Sequence, residues 1–350
     1  MTQKNMSLRS TVIAGLLMLS LSAVAFGNTS AASPTEDLVV GARKEGRFEF
    51  YAPSTLTPQG AQALGEAFNR RHNLDIKFQY HPSGSMGSDI SRVVTRTTAA
   101  IAPEWDVMMT TDAHHATLWL RKLHQPFNYA KLGIDRNVIH FDSGTVSVAN
   151  QFALPAYNPK LLATKDLPKR WEDLLDPKRK GGKLGVTVAT HHFARLATLW
   201  GEEKTTRFVK NLAQQEPSIG QIGIIYTRLL LGEFALAATL TDSYVNRGKK
   251  SGAPVAFVEN IQPIISSAYH VGVIKNALHP NVGYLFAAFL VSPEAQQILE
   301  KFTGQSSVFV PGTPYYNYAQ GKQLLHMTQE DAKTVDRLRT EYYKILGFTK

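Results

Sequence analysis

The chain has 350 residues, of which 43% are hydrophobic and 19% charged, and it contains no cysteine. This composition excludes a disordered chain and a multi-span membrane protein, and the length predicts a globular protein of about two lobes. The absence of cysteine excludes disulfide frameworks, thiolate nucleophiles, cysteine-based zinc sites, iron–sulfur clusters and a lipidated cysteine anchor.

The formal net charge is +10, from 38 Lys and Arg against 28 Asp and Glu. A basic chain can bind a polyanion, but here the basic residues are scattered, with short clusters only at 178–180 and 249–250. Neither cluster is interleaved with aromatic residues, as a stacking surface for bases requires. We therefore expect no nucleic-acid partner.

The N-terminus has the pattern of a secretory signal peptide. Lys4 and Arg9 precede an uncharged apolar stretch at 11–26, which contains the small residues Ala23 and Ala25 near its end and is followed by Gly27. A membrane anchor is the alternative, but a spanning helix needs about 20 apolar residues and this stretch is shorter. The sequence predicts a signal peptide over 1–27 and a periplasmic protein that is not a lipoprotein.

The first half of the chain alternates predicted strands and helices. Apolar residues at alternate positions predict strands at 48–52, 76–80 and 105–109. Thr57 is predicted to cap the helix that follows the first strand, with Pro58 at its first position. The polar segment 83–88 opens another helix, whose predicted apolar face consists of Ile90, Val93, Val94 and Ile101.

The second half repeats this pattern without a sequence repeat. Strands are predicted at 147–157, 184–188, 234–240, 254–258 and 269–274, and helices begin near 191, 221, 281 and 293. Ser292 is predicted to cap a helix, and the final helix is predicted over 329–346. The predicted fold is α/β with two lobes, each a mostly parallel sheet flanked by helices, joined by two crossing strands.

Small polar residues stand where the predicted strands end. In parallel α/β sheets, ligands bind at the carboxyl ends of strands, where helix N-termini present free N–H groups and a positive dipole end. A small, strongly polar or anionic solute would fit this lining, although each residue alone could simply cap a helix. The candidate ligand-binding residues at these junctions are Ser54, Thr55, Ser83, Ser85, Thr111, Thr190, His191 and Gln221.

Compact enzyme motifs are absent from the sequence. There is no phosphate loop, dinucleotide glycine triplet, HExxH or nucleophile elbow, so we expect no catalysis, with a secreted α/β hydrolase as a remaining alternative. The histidine pairs at 114–115 and 191–192 could indicate a metal site. Adjacent histidines on a helix point about 100° apart, which favours surface or helix-start polarity instead.

Three segments carry a family resemblance: WEDLLDPKRKGGKLGV at 171–186, the Gly232–Glu233 pair before FALAATL, and KNALHPNVGYLFAAFLVSPEAQQIL at 275–299. They resemble extracellular solute-binding proteins of ABC importers, in the ferric-binding-protein-like branch. The resemblance implies a monomeric clamp that closes on a small-molecule solute and docks on an inner-membrane permease, without a cofactor. Its lobes would be 35–147 with 268–312 and 148–267 with 313–350.

The resemblance also bears on the ligand. Iron-binding members use two adjacent tyrosines, and the matching positions here are Ser243 and Tyr244, so one tyrosine is missing. The junction at 190–192 resembles the place where those relatives hold an anion, which favours an organic anion over iron. Tyr244 and Tyr157 are expected to cover the solute. The alternative is a ferric protein with Tyr244 and Asp242 as metal ligands.

Overall fold

The computed structural model describes residues 33–348. The helices are α1 (Pro34–Glu45), α2 (Thr57–His72), α3 (Met86–Thr98), α4 (Asp112–Leu120), α5 (His191–Trp200), α6 (Glu202–Gln214), α7 (Ile222–Leu231), α8 (Asp242–Lys250), α9 (Pro280–Leu290), α10 (Pro293–Thr303), α11 (Pro314–Ala319) and α12 (Ala332–Ile345). The strands are β1 (Arg47–Pro53), β2 (Lys77–Ser83), β3 (Val107–Thr111), β4 (Ile139–His140), β5 (Thr145–Tyr157), β6 (Leu184–Thr187), β7 (Ser218–Gly220), β8 (Leu236–Thr241), β9 (Ala256–Phe257), β10 (Ile264–Val273) and β11 (Leu324–Leu325).

One mixed sheet runs through the described residues in the order β2-β1-β3-β10-β5-β8-β6-β7. The strands β2, β1 and β3 are parallel to one another, as are β8, β6 and β7. The long strands β5 and β10 lie between these two groups and pair antiparallel with each other and with their outer neighbours. The predicted α/β class is confirmed, with an antiparallel centre between two parallel groups.

A short two-stranded segment joins the two parallel groups. On β10, pairing with β3 begins at Tyr269, opposite Thr111, and on β5, pairing with β8 begins at Ala153, opposite Thr241. Between these points, residues 150–152 of β5 face residues 266–268 of β10. We call these six residues the hinge pair, because the sheet narrows here to two strands between its wider halves.

Separate apolar clusters pack on the two sides of the hinge pair. In the first, the Phe286 ring lies 4.9–5.6 Å from the rings of Phe48, Phe50, Phe68 and Phe78. Clusters on the other side draw mainly on residues 153–261 and 327–346, around buried Trp171, Phe193 and Tyr342. The predicted lobe boundaries stay a prediction. Two lobes would need separate apolar cores, and these clusters would be those cores.

Several predicted local features are confirmed. The Gly60 N–H donates to Thr57 Oγ1 at 3.3 Å, and the Ala295 N–H donates to Ser292 Oγ at 3.4 Å. The described chain also contains six 3-10 helices, at Ser54–Leu56, Tyr129–Leu132, Arg136–Val138, Thr164–Asp166, Trp171–Leu175 and Pro177–Arg179.

Other predictions are wrong in detail. Ile101 lies beyond the end of α3 and is 49% exposed, so it does not belong to the apolar face of that helix. The strand predicted at 269–274 begins at Ile264, since buried Ser266 and Ser267 interrupt its apolar pattern. The predicted signal peptide lies outside the described residues. Within 33–348, every helix is too short or too polar to traverse a bilayer.

Candidate functional site

The carboxyl ends of the two parallel groups face each other across the hinge pair. Thr111, the end of β3, lies opposite Tyr269, which pairs with Ala149, and Thr241, the end of β8, lies opposite Ala153. Positions 149 and 153 are four residues apart on β5, or about 13 Å at roughly 3.3 Å per residue. The helices that follow these strands, α4 and α8, therefore begin on either side of the hinge pair. We call the region around Thr111, Thr241 and the hinge pair the junction.

The helices that follow the parallel strands β2, β3, β6, β7 and β8 begin without a side-chain cap from their N-cap residue. The N-cap residues of α3, α4, α5, α7 and α8 carry a hydroxyl or amide, and none of these side chains accepts a hydrogen bond from a backbone N–H of its helix. Elsewhere in the described chain, Ser33, Ser292 and Thr313 cap their helices in the usual way. The simple capping alternative is therefore wrong for Ser85, Thr111, Thr190 and Gln221.

Two of these helices instead begin with a buried aspartate. At the start of α4, Asp112 Oδ2 accepts the Ala268 N–H of the hinge pair at 3.2 Å, and its Oδ1 accepts the Ala113 N–H at 2.8 Å. Asp112 also forms a fully buried ion pair with Arg195 of α5. Burial raises the pKa of Asp112 and lowers the pKa of Arg195, and the attraction between the two charges opposes both shifts.

Asp242 has the equivalent position at the start of α8. Its Oδ2 accepts the Phe152 N–H of the hinge pair at 2.7 Å and the Tyr315 hydroxyl at 2.8 Å. Its Oδ1 accepts the Ser243 N–H at 2.7 Å and the Gln305 amide at 3.3 Å. Burial raises the pKa of Asp242 to about 6.

The surroundings of Asp242 correct its predicted role in the ferric alternative. A carboxylate offers about four acceptor positions, and four donors already occupy those of Asp242. Across residues 33–348, no group of three or more His, Asp or Glu side chains could hold a metal ion. Tyr244 remains, half-buried, with its ring centroid 5.2 Å from that of Tyr226 and beneath the Arg247 guanidinium.

The paired histidines are not surface residues: one of each pair is buried, and the other, His114 or His191, is half-buried in the first turn of its helix, as the helix-start alternative predicts. His115 and His192 are fully buried, and His114 Nδ1 lies 2.8 Å from Thr111 Oγ1. The His114 and His191 rings are 6.4 Å apart, although they belong to α4 and α5. Burial lowers the pKa of His114 to about 3 and the pKa of His191 well below its usual value. These imidazoles are neutral at neutral pH.

Arg195 fixes the tautomer of His191. A guanidinium only donates hydrogen bonds, so the 2.6 Å contact of Arg195 Nη1 with His191 Nδ1 requires that Nδ1 be unprotonated. The His191 proton therefore resides on Nε2. His191 is half-buried and so offers an N–H donor at the start of α5.

Some of the other predicted residues make hydrogen bonds inside the protein, and others are exposed to solvent. Thr190 Oγ1 donates to the Arg339 carbonyl of α12 at 2.7 Å, and Ser83 Oγ accepts the Tyr51 hydroxyl at 2.6 Å. Ser85 and Gln221 are exposed at the starts of α3 and α7, where an incoming solute can reach them. Ser54 and Thr55 are also exposed, in the 3-10 helix that follows β1.

Tyr157 does not join this group, which corrects its predicted role as a cover for the solute. It pairs with Leu236, the first residue of β8, whereas the junction lies at Thr241, the last residue. Tyr157 therefore lies near the start of β8, away from the carboxyl ends of the parallel strands. The error arose because the strand that contains Tyr157 runs antiparallel to β8 and carries its end away from the junction.

Two side chains at the junction, Tyr269 and Arg195, were not among the predicted site residues. Tyr269 lies opposite Thr111, and its hydroxyl is 3.4 Å from the Gln151 amide of the hinge pair. Arg195 follows His191 by one helical turn, on a face that the sequence pattern marks as apolar. A sequence signal existed for the aspartates: a Thr-Asp pair, at 111–112 and 241–242, stands where each strand ends and the next helix begins.

Comparison with known proteins identifies the family. A family model described as bacterial extracellular solute-binding protein matches residues 49–302. The chain belongs to this family. An uncharacterized protein of Haemophilus influenzae is 28% identical to this solute-binding protein over 149 residues, which cover 40% of this chain and 42% of that protein. The chain thus spans under half the length of that relative.

Solved structures share the fold of this solute-binding protein. A Trichodesmium protein in complex with iron and citrate is 20% identical with a TM-score of 0.68, covering 87% of this chain and 100% of that one. The substrate-binding protein of an ABC transporter from Agrobacterium tumefaciens is 17% identical with a TM-score of 0.70, covering 86% of this chain and 94% of that one. Family and fold are those of binding proteins.

Proposed function

We propose that this chain is the periplasmic solute-binding component of an ABC importer and delivers a small anionic solute to an inner-membrane permease. The solute would be a phosphorylated or carboxylated compound. The protein would act as a monomer, bind no nucleic acid and perform no chemistry. In this proposal, 35–147 with 268–312 and 148–267 with 313–350 are the lobes, and the hinge pair is the segment about which they close.

One observation carries the anionic assignment. Five helices that follow parallel strands begin without a hydrogen bond from a backbone N–H to their N-cap side chain, and α5 and α7 have no acidic residue in the first turn. Free N–H groups and the positive end of the helix dipole favour an anion at such ends. The proposed ligand-binding residues are Ser54, Thr55, Ser83, Ser85, Thr111, Thr190, His191, Gln221 and Tyr244, with Tyr269 added.

Arg195 supports the same assignment by its position. The guanidinium lies between Asp112 and His191, so one carboxylate of the protein already neutralises it inside the junction. Its Nε is buried and lacks a hydrogen-bond partner among the described residues. A buried donor without a partner costs free energy, which an oxygen atom of a bound solute or water would recover.

A ferric function is the second candidate, because the Trichodesmium neighbour is in complex with iron and citrate. Tyr244 would be the principal ligand. Against it, four donors already engage the oxygens of Asp242, the second predicted metal ligand. A citrate-like anion satisfies the first proposal as well, so the two candidates differ in whether iron is required.

Thermal-shift and calorimetric titrations test the proposal. The panel contains phosphate esters, dicarboxylates, citrate, ferric citrate and a ferric salt without an organic anion. We expect one organic anion to raise the melting temperature without iron. Ser85→Ala and Gln221→Ala should each weaken the affinity for that anion by about tenfold to a hundredfold. Thr227→Ala, on the exposed part of α7, is the control. A response that requires iron, or one unaffected by both variants, would contradict the proposal.

A further inference from the structure

A cavity of about 270 Å³ lies beside the junction, between α3, α4 and α12. Its polar lining comes from Ser91 and Thr95 of α3, from His114 and Thr117 of α4, from Arg121 directly after α4, and from Arg339 of α12. The lining residues include two arginines and, among those the structure describes, no aspartate or glutamate. We propose that this cavity, which we call the arginine cavity, is a binding site for a small oxyanion group.

Arg121 carries the positive charge that this inference needs. Its Nη1 donates to the Thr117 carbonyl at 3.0 Å, a contact that helps to end α4. A guanidinium has five N–H donors, so this contact uses only one. Within residues 33–348, no carboxylate lies close enough to form an ion pair with Arg121, unlike Arg92, Arg170, Arg179 and Arg337.

Arg339 faces the same space but is held by a carboxylate. Its Nη2 donates to Thr117 Oγ1 at 3.0 Å and to Asp336 Oδ1 at 2.8 Å, and Thr117 Oγ1 donates to the same Asp336 oxygen at 2.7 Å. The cluster Arg121, Arg339 and Asp336 has a formal charge of +1. A planar or tetrahedral oxyanion matches the fork geometry of a guanidinium and would complete the charge balance.

The arginine cavity adjoins the junction without being part of it. His114 lines the cavity and also contacts Thr111, and Gly87 of the lining is the second residue of α3. The oxyanion could therefore be free in solution, as inorganic phosphate or sulfate, or could be a second acidic group of the solute. Both sources share the same chemistry, and the binding experiment separates them.

Calorimetry with inorganic phosphate and with sulfate, at constant ionic strength, tests the inference. We expect Arg121→Gln and Arg339→Gln each to weaken binding by at least about tenfold, because each loses charge-assisted hydrogen bonds to the anion. Arg337→Gln is the matched control on α12, since Arg337 pairs with Glu202 and Glu341 outside the cavity. Arg121→Lys should restore part of the affinity.

The outcomes are distinct. If phosphate and sulfate fail to bind but a dianionic solute binds and weakens in Arg121→Gln, the cavity holds the second acidic group of that solute. If Arg337→Gln weakens binding as much as Arg121→Gln, the effect is general electrostatics and the inference is overturned. If Ser85→Ala and Gln221→Ala abolish phosphate binding while Arg121→Gln does not, the anion occupies the junction, which overturns this inference and leaves the proposed function standing.

Discussion

Asp112 and Asp242 are related by position: each is the first residue of a helix that follows a Thr-ended strand, and each accepts an N–H of the hinge pair. Ala268 of β10 donates to Asp112, and Phe152 of β5 donates to Asp242. The two carboxylates therefore hold the hinge strands from opposite sides. This relationship positions the starts of α4 and α8 against the segment about which the halves would move.

The two aspartates should differ in what their loss costs. Asp112→Asn leaves the fully buried Arg195 charge without a counterion, which should lower the free energy of unfolding by about 3–5 kcal/mol. Asp242→Asn loses hydrogen bonds that come from neutral donors only, so the free energy of unfolding should fall by about 1–3 kcal/mol. Urea denaturation at neutral pH measures both. An equal or smaller loss for Asp112→Asn would show that the ion pair with Arg195 does not stabilise the fold.

A glycine on β6 tests the packing beneath the second parallel group. A Cβ at Gly185 would lie 2.5–2.6 Å from the Phe234 ring and 2.9 Å from Ile225 Cγ2. Both neighbours are buried, so Gly185→Ala should destabilise the protein by about 1–3 kcal/mol. Gly84→Ala is the control, because no heavy atom would lie within 4 Å of its Cβ. A similar stability for both variants in thermal unfolding would mean that the Phe234 ring can move aside.

Acid should destabilise the protein through its buried histidines. Burial lowers the pKa of His115 to about 4 and the pKa values of His124 and His270 well below 6.5. The unfolded chain then binds more protons than the folded one, so stability is present above about pH 6.5 and is lost as the pH falls towards 4. Each such histidine contributes about 1.4 kcal/mol per pH unit in that window. Asp242 acts in the opposite direction, because its raised pKa favours protonation of the folded state.

The hydrogen bonds of this histidine cluster give the prediction a specific variant. His115 Nε2 must donate to the His270 carbonyl at 3.0 Å, so its Nδ1 accepts the proton of His124 Nε2 at 2.9 Å. His124 Nδ1 is then buried and unprotonated. His124→Gln should reduce the slope of unfolding free energy against pH by about one histidine's share. Urea denaturation from about pH 7 to about pH 5 measures the slope, and an unchanged slope would contradict this account.

Much of the fold was predictable because strands and helices here follow local patterns. Alternating apolar residues predict β1 and β2, and proline with a preceding hydroxyl residue marks the starts of α2 and α10. The inner half of β10 was not predictable by this means. Its Ser266 is buried as a partner of Asn150, whose Nδ2 donates to Ser266 Oγ at 3.1 Å. A buried serine that is stabilised by a hydrogen bond interrupts the apolar alternation from which a strand is predicted.

The site was predictable as a class of position and less so as a set of contacts. Strand ends identify Thr111, Thr190 and Gln221, because chain order alone places them before helices. The pairing of Arg195 with Asp112 depends on how α5 packs against α4, and no local spacing encodes it. The misplaced Tyr157 has the same cause, since its edge of the sheet depends on strand direction.

A distance measurement between the two halves tests the central claim, closure about the hinge pair around an anionic solute. The chain has no cysteine, so Gln59→Cys on α2 and Thr227→Cys on α7, both exposed, give unique positions for two spin labels. Electron–electron double resonance is recorded with low-mass periplasmic extract of the host, separated by anion exchange. We expect the distance to shorten with a retained, iron-free fraction. A distance unchanged by every fraction, or shortened only by ferric salt, would show that no iron-free anion closes the two halves.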